Sequence, residues 1–161
     1  MYMPMPQIAE VRARGWHTLS KREFNNLMKK AWQRVGEFWI QNFLPRHFQP
    51  GAASRYGYKR RSRETVARGR ALNAAWRPLH MTGRLEREVL GPGGARVIAS
   101  FRGVRITLRH HPVDMMVHEE LTRITEDERQ ELMKVFHQEF AKLLDGVKKT
   151  KRKRTGNATA S

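Results

Sequence analysis

The chain reads ARVIASFRGVRITL from Ala95 to Leu108, and this stretch decides the class of fold. Apolar residues alternate with other residues in two short runs, which are Val97, Ala99 and Phe101, then Val104, Ile106 and Leu108. A period of two is typical of a half-buried β-strand. Arg102-Gly103 between the two runs has the composition of a tight turn. The stretch therefore predicts a β-hairpin.

A long amphipathic helix is predicted on the N-terminal side of the hairpin. Ser20 and Glu23 have the spacing of a capping box, in which each residue bonds the backbone of the other. Apolar residues then recur at steps of three and four until Pro45, and these are Phe24, Leu27, Met28, Ala31, Val35, Phe38, Trp39 and Phe43. This spacing predicts a helix of about 24 residues with one apolar face.

A second amphipathic helix is predicted on the C-terminal side. Thr125 and Glu128 form another capping box, and Glu126 and Asp127 suit the positive end of a helix dipole. One apolar stripe follows, made of Leu132, Val135, Phe136, Phe140, Leu143 and Leu144. Gly146 is placed where a C-terminal cap is expected. The helix is therefore predicted to end there.

The remaining stretches carry weaker signals. Residues 7–17 favour a short strand or an extended arm, and a short helix is expected within 114–121. Thr82 is a possible N-cap for a short helix in 80–90, although an extended conformation is also compatible with that stretch. Residues 46–78 contain many arginines, one acid and several Gly and Pro residues, which favours a long basic loop that could include one helical turn near Arg63 to Arg68.

These elements together predict an α+β fold, in which two long amphipathic helices pack on a small antiparallel sheet. Residues 1–146 are expected to form a single domain that includes the basic loop at 46–78. Residues 147–161 hold six cations and few apolar side chains, so we expect a basic tail that is disordered unless it is bound.

The charge of the chain is strongly positive and unevenly distributed. Lys and Arg number 32 against 15 Asp and Glu, which gives a net charge of +17 and favours an anionic partner. Residues 114–145 hold nine of the acids against four cations, whereas residues 1–113 hold 22 cations against six acids. Such a division suits head-to-tail packing of identical subunits, but two solvated faces would explain it equally well.

Composition also limits the kinds of protein that this chain can be. There is no cysteine, which excludes disulfides, thiolate metal sites and thiol nucleophiles. No run of 18 apolar residues occurs and no signal peptide is recognisable, so we expect synthesis in the cytoplasm and no membrane span.

The search for catalytic and metal-binding motifs finds little. His110, His111, His118 and Glu119 are the densest candidate ligands, but their spacing fits no known metal motif. The glycines at 91–94 lack the Lys-Ser/Thr ending of a phosphate-binding loop. We therefore expect no enzyme activity, no metal and no cofactor.

Two features remain that indicate binding. One is the basic loop with Tyr56, Tyr58 and Trp76 interleaved among its arginines, and the other is the run of cations at 148–154. Arginine combined with aromatic residues suits base stacking on nucleic acid and also suits the centre of a protein interface. The residues alone leave both interpretations open.

Three segments in the middle of the chain resemble a known group of proteins. They run from His47 to Pro50, as HFQP, from Ser54 to Ser62, as SRYGYKRRS, and from Pro78 to Leu85, as PLHMTGRL. These segments resemble those of tailed-bacteriophage neck and tail-completion proteins of the virion-morphogenesis type. In those families an N-terminal helix precedes a basic or aromatic loop, and a Pro-Leu-x-x-Ser/Thr-Gly-x-Leu element leads into a small sheet. The order of elements is similar here from Phe24 to Leu144.

The resemblance implies a structural protein that forms a ring of six or twelve copies at the neck or tail of the virion. Neighbouring neck, portal-adaptor or tail-tube proteins would be its partners, and genomic DNA would pass through the ring. The alternative is a stand-alone basic nucleic-acid-binding protein. We expect subunit or partner contacts at Arg55, Tyr56, Tyr58, Lys59, Arg60, Arg61, Arg63, Glu126 and Glu128. We expect DNA-facing positions at Lys148, Lys149, Lys151, Arg152, Lys153 and Arg154.

Overall fold

The computed structural model describes residues 19–72, 79, 83–108 and 115–158, with backbone alone at 115–116 and 148–158. Its elements are α1 (Lys21–Asn42), a 3-10 helix (Leu44–Phe48), α2 (Ala52–Arg55), α3 (Arg63–Leu72), α4 (Arg84–Leu90), β1 (Ala95–Ser100), β2 (Gly103–Leu108), α5 (Met115–Leu121) and α6 (Glu126–Ala158). The two long helices pack with a two-stranded antiparallel sheet, which confirms the predicted α+β class. The predicted arm at 7–17 lies outside the described residues.

Helices α1 and α6 form the centre of the core through aromatic contacts. Trp32 lies against Phe136 with 4.4 Å between ring centroids, and Phe24 meets Phe140 edge to face at 5.9 Å. The pairing order shows that the two helices run antiparallel. Burying a side chain of this size stabilises the fold by about 1.5–3 kcal/mol. Each of these aromatic residues lies on the predicted apolar face of its helix or, for Trp32, directly beside it.

The predicted capping boxes are both present. The Ser20 hydroxyl accepts from the Glu23 amide at 3.2 Å, and the Glu23 carboxylate accepts from the Ser20 amide at 2.8 Å. At the start of α6, the Thr125 amide donates to Glu128 at 3.2 Å and the Glu128 amide donates to the Thr125 hydroxyl at 3.3 Å. These bonds fix where each long helix begins.

The apolar face of the hairpin packs against α1. Val97 pairs with Ile106 and Ala99 with Val104, so the alternating apolar residues share the inner face. Gly36 of α1 lies beneath them, and a Cβ at this position would come within 2.5 Å of the Val97 Cγ1. The absence of a side chain at Gly36 therefore allows the helix and the sheet to approach closely.

The hairpin turn is displaced by one residue from its predicted position. Ser100 pairs with Gly103, so the two turn residues are Phe101 and Arg102 rather than Arg102 and Gly103. Phe101 consequently lies in the turn, where 40% of its surface is exposed, and not on the inner face of β1. Gly103 was expected in the turn, but it belongs to β2 and pairs with Ser100.

The prediction of one long basic loop at 46–78 is wrong for the described part of that range, apart from the helical turn expected near Arg63 to Arg68, which lies within α3. Residues 44–72 contain the 3-10 helix, α2 and α3, with Gly51 and Gly57 at positive φ between them. Short helices of this kind have weak local signals and depend on tertiary contacts. Leu79 also adopts a positive φ of 67°, and its side chain packs both against the main core and against a smaller cluster of Ala52, Tyr56 and Tyr58. Trp76 lies outside the described residues.

The two shorter predicted helices are present. The helix expected within 80–90 is α4, which begins after Gly83 at φ 69°, and the helix expected within 114–121 is α5. The possible N-cap Thr82 lies outside the described residues.

The predicted end of the last helix at Gly146 is wrong. The helical backbone of α6 continues to Ala158, so it includes the cationic run at 148–154. Gly146 is therefore an interior helical residue. The prediction that 147–161 orders only with a bound partner stays a prediction.

Candidate functional site

The segment from Ser54 to Arg63, here called the basic segment, connects α2 to α3 and is the candidate site. Gly57 adopts a positive φ of 60° just after α2, which turns the chain away from the helix. The segment ends where the Ser62 hydroxyl accepts from the Thr65 amide at 3.1 Å and caps α3. Gly57 thus marks where the chain leaves α2, and Ser62 marks where it enters α3.

Tyr56 connects the basic segment to the beginning of α6. Its hydroxyl donates to the Glu128 Oε1 at 2.6 Å, and both residues are buried. The other carboxylate oxygen of Glu128 accepts from the Thr125 amide in the capping box. One glutamate therefore caps α6 and holds the basic segment at the same time.

Glu120, at the end of α5, makes the second connection. Its side chain is almost fully buried and accepts two hydrogen bonds from the Arg61 guanidinium, the Nη1 bond being 3.0 Å long. The Lys59 amide also donates to the Glu120 Oε1 at 3.1 Å. A two-point Arg–carboxylate pair of this kind fixes orientation as well as distance.

Arg123, between α5 and α6, makes the third connection. Its Nη1 donates to the carbonyl oxygens of Tyr56, at 3.1 Å, and of Gly57. These two carbonyls follow the end of α2, where intrahelical donors are lacking. The bonds from Arg123 thus satisfy backbone acceptors that the local fold leaves open.

Three stacked rings support this arrangement from beneath. His47 stacks on Tyr56 with 3.8 Å between centroids, and Tyr56 stacks near Tyr58 at 6.0 Å. The His47 Nδ1 and the Tyr58 hydroxyl form a 2.6 Å hydrogen bond. We refer to these rings together with Arg61, Glu120, Arg123 and Glu128 as the clamp.

Burial controls the protonation of the rings in the clamp. It lowers the pKa of His47 to about 4, because a charged imidazolium would lose its hydration. Burial also raises the pKa of Tyr56 and of Tyr58 well above the ordinary value, and the bond to Glu128 adds to the effect at Tyr56. All three rings are therefore neutral at pH 7.

The outward side of the basic segment is cationic. Arg55, Lys59, Arg60 and Arg63 are exposed. Because the inward groups bond the α5–α6 junction, these four cations project from a backbone that is held in place. The arrangement can present positive charge in a fixed pattern to another molecule.

The predicted contact residues therefore divide into two sets. The exposed set contains Arg55, Lys59, Arg60, Arg63 and Glu126, and the inward-facing set contains Tyr56, Tyr58, Arg61 and Glu128. The second set bonds within the chain, which corrects the expectation that all nine offer surface to a partner. Among the exposed ones, Glu126 forms a 2.8 Å ion pair with Arg129.

Other predicted residues are placed only in part. The six cations at 148–154 belong to the helical backbone of α6, and nothing is described of their side chains. His110 and His111 lie outside the described residues. Within the described ranges, no group of three or more acidic or histidine side chains is positioned to hold a metal ion.

Sequence reasoning missed His47, Glu120 and Arg123 as members of the clamp. His47 entered the sequence analysis only within the HFQP segment of the resemblance, and Glu120 is one of two adjacent carboxylates with no motif around them. The combination of tyrosines with arginines in the basic segment is the signal that could have indicated buried polar bonds.

Comparison with known proteins gives no relative: no family model, no curated protein and no solved structure matches this chain. Among the helices in the described part of the chain, none has the length and hydropathy that a bilayer span requires.

Proposed function

We propose that this protein is a structural subunit of a tailed-phage virion, which forms a ring at the head–tail neck or the tail end around the DNA path. Rings of this type assemble through fixed complementary surfaces on identical subunits. The proposal rests on the clamped basic segment and on the resemblance of residues 54–62 and 78–85 to phage neck and tail-completion proteins.

The observation that carries the proposal is the way the clamp holds the basic segment. Three side chains from the α5–α6 junction, Glu120, Arg123 and Glu128, hold it from the inside. Ordering such a segment costs conformational entropy, which the buried polar bonds offset. A fixed cationic surface suits a repeated, geometrically defined contact better than it suits loose attraction to any polyanion.

An acidic surface is available to receive this contact in a neighbouring subunit. Glu119, at the end of α5, and Glu126, at the beginning of α6, are exposed. Opposite charges exposed on one chain favour head-to-tail association of its copies and oppose contact between like-charged surfaces. Six or twelve such contacts would close a ring.

A second candidate function is that of a stand-alone nucleic-acid-binding protein. The observation that favours it is the position of the cations at 148–154, which follow the part of α6 that packs on the core. If about six cations contact phosphates, the logarithm of the binding constant should fall against the logarithm of salt concentration with a slope of about −5.

Negative-stain imaging of the purified protein, alone and with a neighbouring neck protein, separates the two functions. The proposal predicts closed annular particles with a central opening. The second candidate predicts monomers that bind DNA with the salt slope given above. A chain truncated after Gly146 should keep the rings under the first proposal and should lose DNA binding under the second.

A further inference from the structure

The outer face of the hairpin is basic and apolar, and it has no acid. Arg96, Ile98 and Arg105 alternate with the inner residues and are exposed. Ile98 exposes 49% of its surface, and Phe101 in the turn exposes 40%. Large apolar side chains that are exposed together, and bordered by arginine, are typical of a protein contact surface.

The two arginines of this face are close to each other and unpaired. Arg105 is opposite Ile98 and Arg96 is opposite Thr107, so the arginines are diagonal neighbours, about 7–8 Å apart. Among the residues that the structure describes, neither guanidinium has an ionic or hydrogen-bonding partner. Arg102 adds a third charge and lies over the Phe101 ring at 5.1 Å.

A matching pair of acids is exposed at the beginning of α6. Asp127 and Glu131 are one helical turn apart, which places their Cβ atoms about 5–6 Å from each other on one face. Both are exposed, and within the described ranges neither forms an ion pair. These two acids can pair with the two arginines, because the long arginine side chains can bend to make up the difference of about 2 Å between the two spacings.

We propose that the outer face of the hairpin docks on the α6 surface of a second copy of this chain, with Arg96 and Arg105 paired to Asp127 and Glu131. Ile98 and Phe101 are covered in the contact. This interface rests on the proposed function, because it supplies one of the contacts that a ring of identical subunits needs.

A protein partner fits this face better than DNA does. The cations of the hairpin are all arginine, which is enriched in the centres of protein interfaces where lysine is depleted. An aliphatic side chain directly opposite Arg105 gains burial against a protein but gains little against phosphates. The exposed Ile98 therefore favours a protein over DNA, and the complementary acids of α6 make that protein a second copy of this chain. DNA binding is an outcome of the test.

The test is a charge reversal on each side, analysed by size-exclusion chromatography with light scattering. One variant carries Arg96→Glu and Arg105→Glu, and the other carries Asp127→Lys and Glu131→Lys. Each variant alone should lose the oligomer and elute at monomer mass. An equimolar mixture should regain even-numbered rings, because each reversed face then meets a complementary one in the other variant. A control with Lys29→Glu and Lys30→Glu on α1 should assemble like the wild type.

The outcomes distinguish this interface from the proposed function. A wild-type protein that is monomeric in every condition overturns both. Rings that persist in both variants, or a mixture that stays monomeric, overturn this interface and leave the proposed function standing. If the arginine variant keeps its rings but loses duplex DNA binding in a gel-shift assay, the face binds DNA and the interface is also overturned.

Discussion

The hydroxyl of Tyr56 and the carboxylate of Glu128, 72 residues further along the chain, form a 2.6 Å hydrogen bond that ties the basic segment to the first turn of α6. A second buried tyrosine, Tyr58, bonds a neutral imidazole instead, at the Nδ1 of His47. Removing each hydroxyl separately therefore measures how much each of these two hydrogen bonds contributes to the stability of the fold.

Tyr56→Phe should lower the free energy of unfolding by about 1.5–3 kcal/mol, because it removes a bond to a buried charged acceptor. Tyr58→Phe should cost about 1 kcal/mol, because the bond that it removes joins two neutral groups. Urea unfolding of both variants measures the difference. Equal losses, or a larger loss at Tyr58, would contradict the role given to Glu128.

Substitution by alanine should destabilise the fold strongly at Arg61 and hardly at all at the neighbouring Arg60. Arg61→Ala leaves the buried Glu120 carboxylate without its guanidinium, which should cost about 3 kcal/mol, even though the Lys59 amide still bonds it. Arg60→Ala removes an exposed side chain and should change stability by less than about 0.5 kcal/mol.

Thermal unfolding of these two variants is the measurement, and ring formation by Arg60→Ala is the second readout. We expect Arg60→Ala to fold normally and to assemble poorly. If Arg60→Ala unfolds the protein while Arg61→Ala leaves it intact, the orientation of the basic segment is wrong.

Acid should destabilise the protein through His47. Its pKa is about 4 in the folded state, whereas an unfolded histidine titrates near 6.5. Between these values the unfolded chain binds a proton that the folded chain does not, so stability falls as the pH is lowered from about 6.5 towards 4. The contribution of this residue is up to about 1.4 kcal/mol per pH unit.

His47→Gln removes this titration, so its unfolding free energy should depend less steeply on pH than that of the wild type. Chemical denaturation at several pH values between 4.5 and 6.5 measures both slopes. Because the comparison uses slopes, the prediction holds even though the substitution lowers stability at every pH. Identical slopes would show that His47 is not buried in its neutral form.

The same substitution should have opposite effects at two helical glycines. Gly36→Ala places a methyl group 2.5 Å from the Val97 Cγ1 and 2.9 Å from the Val104 Cγ2. Overpacking of this kind costs about 1–3 kcal/mol, which outweighs the gain in helix propensity of up to about 1 kcal/mol. At Gly146 a Cβ meets nothing within 4 Å, so alanine should stabilise by about 0.5–1 kcal/mol.

Differential scanning calorimetry of the two alanine variants compares the signs directly. A stabilised Gly36→Ala variant would mean that α1 and the hairpin are too far apart for a Cβ at Gly36 to come within 2.5 Å of the Val97 Cγ1.

The elements that could be predicted from sequence are those with local signals. Ser20 with Glu23 and Thr125 with Glu128 mark helix starts through chemistry that spans only three residues. The alternation around Arg102 marks the hairpin, although the turn itself depends on the pairing of Ser100 with Gly103. Periodicity identified the long helices because an apolar stripe follows from the helix geometry itself.

The clamp could not be predicted in the same way because its bonds join distant residues. Arg61 and Glu120 are 59 positions apart, and nothing in either neighbourhood identifies the partner. The basic segment was therefore interpreted as a loop, and Tyr56 as a contact residue. The continuation of α6 past Gly146 was missed because glycine more often ends a helix than continues one.

Native mass spectrometry of the purified wild-type protein, alone and with a neighbouring neck protein, tests the central claim most directly. The proposed ring predicts a dominant closed species of six or twelve copies of the 18.9 kDa chain. It also predicts that this species is lost on reversing the charge of Arg55, Lys59, Arg60 and Arg63. A protein that remains monomeric with every partner would contradict the proposed function.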